Sequence, residues 1–285
     1  MEIGKCQETK YLGFILSSSG DNLVNTTSIR NKSIGITKKI FTKLNSLKLR
    51  KYYFECGIIF MNVMLRSSIL YACETYYNMK ENEIRQIERI EEPFMRKLLD
   101  TKKGCPINQL YLELGQIPAR FDIIRIRLSF LKYILNQEDA SLLCHFFKLQ
   151  LEKPTRGDWG SICKRDMNEL DIQMTFDEIK EISINKFSAI VKQKCKDSAY
   201  NYLMNRRGSK GIEIEYNRIQ MSEYLLPNNE LNIENQQKLF AIRNKMVNIP
   251  SNFTAREKNY SKCICGEKEN MEHIYVCENL NSENL

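Results

Sequence analysis

Apolar residues recur along most of this 285-residue chain at steps of three and four, the spacing that puts them on one face of a helix. Ile29, Ser33, Ile36, Ile40, Leu44 and Leu47 define the first such face from Thr26 onward, with lysines mostly on the other side. Residues 52–77 are apolar nearly all round. The segment 80–99 is amphipathic, with Ile84, Ile87, Phe94 and Leu98 inward and Arg85, Arg89 and Arg96 outward. Gly104 to Pro106 breaks the chain, and a short helical segment then ends at Leu114 with Gly115 as its C′ residue. Pro118 opens a helix with Ile123, Ile124, Arg127, Leu128, Leu131 and Leu135 on one face. Further helical patterns cover 139–151, 177–203 and 233–247, with the connector PTRGDW at 154–159 and no element assigned between Gly208 and Pro227. The one strand-like run is Tyr11 to Leu16 (YLGFIL), which reads as a strand or hairpin arm closed by the turn cluster Ser17–Asp21. With only 12 glycines and 6 prolines, the fold class expected is mainly α: a helical bundle with a small N-terminal β remnant.

Charge adds a direction to this picture. Residues 1–53 hold ten Lys/Arg against three acids, +7 of the total +8, so the basic excess lies in the first fifth. Lys38, Lys39, Lys43, Lys48, Arg50 and Lys51 fall along one helix and its exit, and Arg85, Arg89 and Arg96 with Lys97, Lys102 and Lys103 along another. If the two faces converge they form a stripe that neutralises phosphates without reading bases; otherwise they are two separate solvated faces. The most apolar stretch contains Glu55, Arg66 and Glu74, and a mid-span arginine costs about 2.5–3.5 kcal/mol on insertion scales, so it reads as a buried helix and no membrane partner is expected. The start MEIGKCQETK has no apolar h-region, and seven of ten cysteines stand singly among apolar residues. The expected location is therefore nuclear or cytoplasmic, not secreted. Phe146, Phe147, Phe187 and Tyr200 read as core, and Trp159 carries no assigned role.

Phosphate-loop, dinucleotide, zinc-protease and nucleophile-elbow motifs are missing, only His145 and His273 are present, and no two aspartates are adjacent, so no two-metal carboxylate strand is expected. Near the C-terminus, Cys263, Cys265, His273 and Cys277 stand as C-x-C-x7-H-x3-C. Three thiolates and an imidazole suit tetrahedral Zn²⁺, and the His-x3-Cys pair spans one helical turn. The C-x-C spacing is tighter than the usual C-x2-C, and the alternative is a loosely ordered tail with incidental thiols.

KYLGFIL with its Ser/Gly turn, followed by a basic helix and an apolar one reaching Tyr71–Thr75, resembles the end of the palm and the thumb of reverse transcriptases of non-LTR (LINE-type) retrotransposons. LYLELGQIPARFDIIRIRLSFLKYIL, PTRGDW, LFAIRNKMVNIP and the terminal CICGEKENMEHIYVCENLN are similar to that group's helical linker and CCHC knuckle. The resemblance implies a palm-end β remnant at 1–25, a thumb-like region at 26–115, a linker at 116–255 and a zinc-knuckle-like tail at 256–285. Tyr11, Leu12 and Gly13 match the strand supporting the primer end, and the four Cys/His residues match the knuckle ligands. The implied partners are RNA and DNA as a template-primer duplex, together with the palm and fingers of the same polyprotein. The family's Mg²⁺-binding aspartates lie upstream of the YLG run, so the expectation is a nucleic-acid-binding fragment without catalytic residues, inactive alone. The other reading is a helical protein-interaction scaffold.

Overall fold

A computed structural model describes residues 8–11, 14–17, 23–48, 51–76, 79, 81–101, 105–138, 140–155, 157–205, 218–228 and 230–244. The run read as a strand or hairpin arm falls across a hairpin: β1 (Glu8–Tyr11) pairs antiparallel with β2 (Phe14–Ser17), Tyr11 opposite Phe14 and Glu8 opposite Ser17. Each arm's backbone groups are thus met by the other, which a single apolar run could not reveal. Helix α1 (Leu23–Ser46) follows and anchors the hairpin, since Asn25 accepts from the Ile15 amide at 3.4 Å and donates to the Tyr76 hydroxyl at 3.0 Å.

α2 (Tyr53–Phe60) runs into a π-helical turn (Met61–Arg66) and a last α turn, α3 (Ser67–Ile69). α4 (Glu81–Leu98) packs on α1 through Phe41 and Phe94, their ring centroids 5.2 Å apart. Gly57 of α2 comes so close to α4 that a Cβ there would stand 2.6 Å from a Leu98 methyl. α5 (Ile107–Glu113) ends as its glycine foretold: Gly115 has φ +64°, its N–H bonds the Leu112 carbonyl and that of Gln116 the Tyr111 carbonyl, the paired bonds of a Schellman ending.

α6 (Ala119–Leu135) lies between two apolar clusters. On one side, α1 to α5 bury Ile40, Leu65, Phe94 and Leu112, joined from far along the chain by Leu203, Leu225 and Phe240. On the other, Phe121, Leu128 and Leu131 meet α7 (Leu142–Glu152), α8 (Trp159–Glu169), α9 (Phe176–Glu181) and α10 (Ile184–Asn205). The long helix expected at 177–203 is two helices. A capping box of Thr175 and Glu178 starts α9, and Ser183 accepts from the Lys186 amide to start α10. α8 is capped by Asp158, which accepts from the amides of Ser161 and Thr155 at 2.6 Å each. α11 (Ile233–Arg243) closes the described chain, capped by Asn232.

The described part of the unassigned stretch, from 218 to 227, is held by one carboxylate. Glu113, fully buried at the end of α5, accepts from Ser222 Oγ, Tyr224 Oη at 2.9 Å, Arg243 Nε at 3.3 Å and Asn244 Nδ2 at 3.4 Å. Backbone pairing of Leu114 with Met221 completes the join. Five of the six described cysteines are buried and none of the six forms a disulfide; burial pushes the thiols of Cys73, Cys105 and Cys195 up to about 12, as inert core fillers require.

Candidate nucleic-acid interface

The 24 residues of α1 include Arg30, Lys32, Lys38, Lys39 and Lys43 and no acid, and all five basic residues are exposed. Its inner face is the one periodicity marked, with Ile29, Ser33, Ile40 and Leu44 buried, although Leu47 at the exit is exposed and Phe41 joins the core. Lys48 and Lys51 beyond its end are also exposed, whereas Arg50, Lys102 and Lys103 lie outside the described residues.

Geometry decides how far the two basic faces converge. Phe41 marks the side of α1 that meets α4, and Lys97 of α4 sits over its ring at 4.5 Å from the centroid. At about 100° per residue, Lys38 stands about 60° around α1 from Phe41, while Lys32, Lys39 and Lys43 stand about 160–180° away. Lys97 of α4 therefore stands on the Phe41 side of α1, and Lys32, Lys39 and Lys43 form a row on the far flank.

α4 contributes less than its sequence promised. Arg85 Nε is paired with Glu81 at 3.2 Å. Arg96, expected outward, is only 12% exposed and bonds Glu92 at 2.7 Å and the Cys105 carbonyl at 2.7 Å. The acids one turn earlier, Glu81 and Glu92, draw both arginines along the helix. Arg89 is exposed. Of the primer-end residues, Tyr11 pairs at the end of β1, and Leu12 and Gly13 lie outside the described residues.

Several other cations belong to the core. Arg66 reaches Glu91 through Nε at 2.7 Å and Nη2 at 3.0 Å, and Asp122 through Nη1 at 3.2 Å. Arg120 bonds Glu88 and Glu81 and lies over the Tyr202 ring. Arg127 bonds Asp166 and the Tyr76 carbonyl, and Lys132 the carbonyls of Ile179 and Lys180. Burial raises the Glu88 carboxyl above its ordinary range despite Arg120, and likewise Asp166 despite Arg127. The sequence signal for such residues is a charge within an otherwise apolar face, as at Arg66 and Arg127.

A different surface gathers aromatic residues. A groove of about 560 Å³ is lined by Phe130, Phe146, Phe147 and Trp159 together with Glu74 and Asp158. Trp159 donates its indole N–H to the Glu74 carbonyl at 2.8 Å. Phe147 and Phe187 are core as expected and Tyr200 is half-buried, but Phe146 is 57% exposed. Leu142, at 69%, with Leu143 and Leu149, continues this apolar face of α7 into solvent.

Cys263, Cys265, His273 and Cys277 lie outside the described residues, as does the whole 256–285 tail. Among the described residues no group of three His, Cys, Asp or Glu side chains stands ready for a metal, and no helix is long and apolar enough to cross a membrane. Comparison with family models, with curated proteins and with solved structures finds no match for the chain.

Proposed function

We propose that the chain is a nucleic-acid-binding helical module, the palm-end, thumb and linker portion of a reverse transcriptase of the non-LTR type, and that α1 meets the sugar-phosphate backbone. The observation that carries this reading is the acid-free surface of α1. Lys32, Lys39 and Lys43 span eleven helical steps, about 16 Å of helix, the axial length of about five phosphates on one B-form strand. Lysines on a solvated helix contact phosphate oxygens and read no base edges, so binding is independent of sequence and suited to a template-primer duplex. The buried arginines are occupied by carboxylates and carbonyls, and the exposed excess is concentrated on α1. In this reading Cys263, Cys265, His273 and Cys277 bind a structural Zn²⁺ that supplies the folding energy of the tail, and Mg²⁺ enters only with the rest of a polymerase. A labelled RNA–DNA hybrid titrated at low and moderate salt tests the proposal: affinity falls steeply as salt rises, whereas unchanged affinity defeats it.

The exposed apolar face of α7 favours a second reading, a helical protein-interaction scaffold. Retention of nucleic acid at low salt separates the two, because a scaffold acting only through Leu142, Phe146 and Leu149 retains none.

A further inference from the structure

The π-helical turn forms part of a second concave surface. Asn62, Arg66 and Ser67 make one wall, and Arg125 of α6 and Lys196 of α10 stand with them around a cavity of about 410 Å³. None of the residues lining it belongs to α1 or α4, so its chemistry stands independently of the basic helix.

Three cations line this cavity against one acid, Asp122. Asp122 is already held, accepting from Arg66 Nη1 at 3.2 Å and from Arg125 Nε and Nη2 at 3.2 and 3.0 Å. Arg66 also bonds the Ile117 carbonyl and Glu91, which is fully buried and does not line the cavity. Arg125 uses two of its five N–H groups on Asp122, which leaves three, and the exposed Lys196 brings an ammonium with three more. A planar guanidinium fork beside a compact ammonium is the donor set that phosphate oxygens accept from. Leu70, Ile117 and Ile219 give the same cavity an apolar side, so it accommodates more than a bare oxyanion. Helical turns of the π type are rare and occur often at functional sites.

We propose that this cavity binds a phosphate monoester. Arg125 and Lys196 hold the dianion beside the Arg66–Asp122 pair, and the esterified group lies against Leu70, Ile117 and Ile219. A terminal phosphate enters a concave site that a diester inside a strand, flanked on both sides, does not reach. The same chemistry comes from a free nucleotide or from the 5′-phosphate of a nucleic-acid end.

Titration calorimetry of the full chain at fixed ionic strength, with inorganic phosphate and with adenosine monophosphate, tests the site. Both bind in the millimolar range or tighter. Lys196→Gln, a change at an exposed position that leaves the core intact, weakens both about tenfold or more, the loss expected for one charge-assisted contact. Lys192→Gln, exposed on the same helix and outside the cavity, leaves both unchanged. A 5′-phosphorylated short oligonucleotide compared with its 5′-hydroxyl form distinguishes the sources. Preference for the phosphorylated end assigns the site to chain ends, and equal affinity for the two with retained nucleotide binding assigns it to free nucleotides. Failure of the wild-type chain to bind either phosphate or adenosine monophosphate at millimolar concentration, or equal losses in Lys196→Gln and Lys192→Gln, overturns the proposal. Because neither probe is a nucleic-acid duplex, that failure leaves the reading of α1 standing on its own test.

Discussion

Replacing Arg66 by methionine removes the cation that joins α4 to α6 and to the carbonyl of Ile117. Glu91, which is fully buried, then keeps only the Tyr111 hydroxyl at 3.0 Å, and Asp122 keeps Arg125. Breaking one side of a buried pair costs about 3–5 kcal/mol, because the remaining carboxylate stays desolvated without its counter-charge. Removing both charges, as Arg66→Met with Glu91→Leu, restores much of that. The residual loss comes from the Tyr111 hydroxyl left without its acceptor, about 1–3 kcal/mol, and from the contacts of Arg66 to Asp122 and the Ile117 carbonyl. The four members of the cycle therefore differ by a coupling of about 2 kcal/mol or more, well above the few tenths at which independent sites add. Urea unfolding followed by far-ultraviolet circular dichroism, extrapolated to water, measures each corner. An Arg66→Met loss below about 1 kcal/mol, or additive single losses, refutes the reasoning that this network is a buried, mutually dependent unit.

Other substitutions probe other links. Gly115→Ala puts a Cβ about 2.1 Å from the Met221 backbone nitrogen at a positive-φ position. It is expected to cost more than the roughly 1–2 kcal/mol of the left-handed conformation alone, read by urea unfolding; a loss below that denies the close approach of 220–221. At Asp158 partial burial acts to raise the carboxyl, but the amides of Ser161 and Thr155 outweigh it and hold it below the ordinary aspartate range. A lowered folded-state pKa gives stability that is present above the unfolded value near 4 and is lost as pH falls through the folded one. Asp158→Ala is thus expected to cost about 1 kcal/mol at neutral pH and progressively less below about pH 4, whereas a pH-independent difference removes the cap from the explanation. If the tail binds zinc, metal analysis of the full chain finds one ion per chain, lost on Cys265→Ser together with the chelator-sensitive part of the far-ultraviolet signal; no bound zinc after purification with the metal present ends that assignment.

The helical framework was legible because its spacing is local. Ile29, Ser33, Ile40 and Leu44 on α1, and Ile87, Phe94 and Leu98 on α4, are buried as their periodicity indicated. Gly115 marked its helix end for the same reason. What escaped depends on partners distant in sequence or on short capping signals. α8 went unassigned although Asp158 stands just before it. The segment 218–226 takes its place from Glu113, more than a hundred residues away. Arg96 read as a surface cation because nothing nearby announces that the Cys105 carbonyl takes it up. Phe146 read as core because a phenylalanine in an apolar helix gives no hint of which side remains uncovered. For the candidate interface, sequence supplied the lysines, but that Lys32, Lys39 and Lys43 stand on the flank away from α4 follows from where Phe41 packs.

The central claim is that the lysine row of α1 neutralises phosphates. Fluorescence anisotropy of an RNA–DNA hybrid, measured across salt concentrations for the wild-type chain and for Lys32→Gln/Lys39→Gln/Lys43→Gln, addresses it directly. Removing three phosphate contacts lowers the slope of log affinity against log salt by about 2.7 and weakens binding at low salt, whereas Arg85→Gln, already paired with Glu81, changes the slope little. Equal slopes for the wild-type and triple variants, or a larger loss from Arg85→Gln than from the three lysines, contradicts the account.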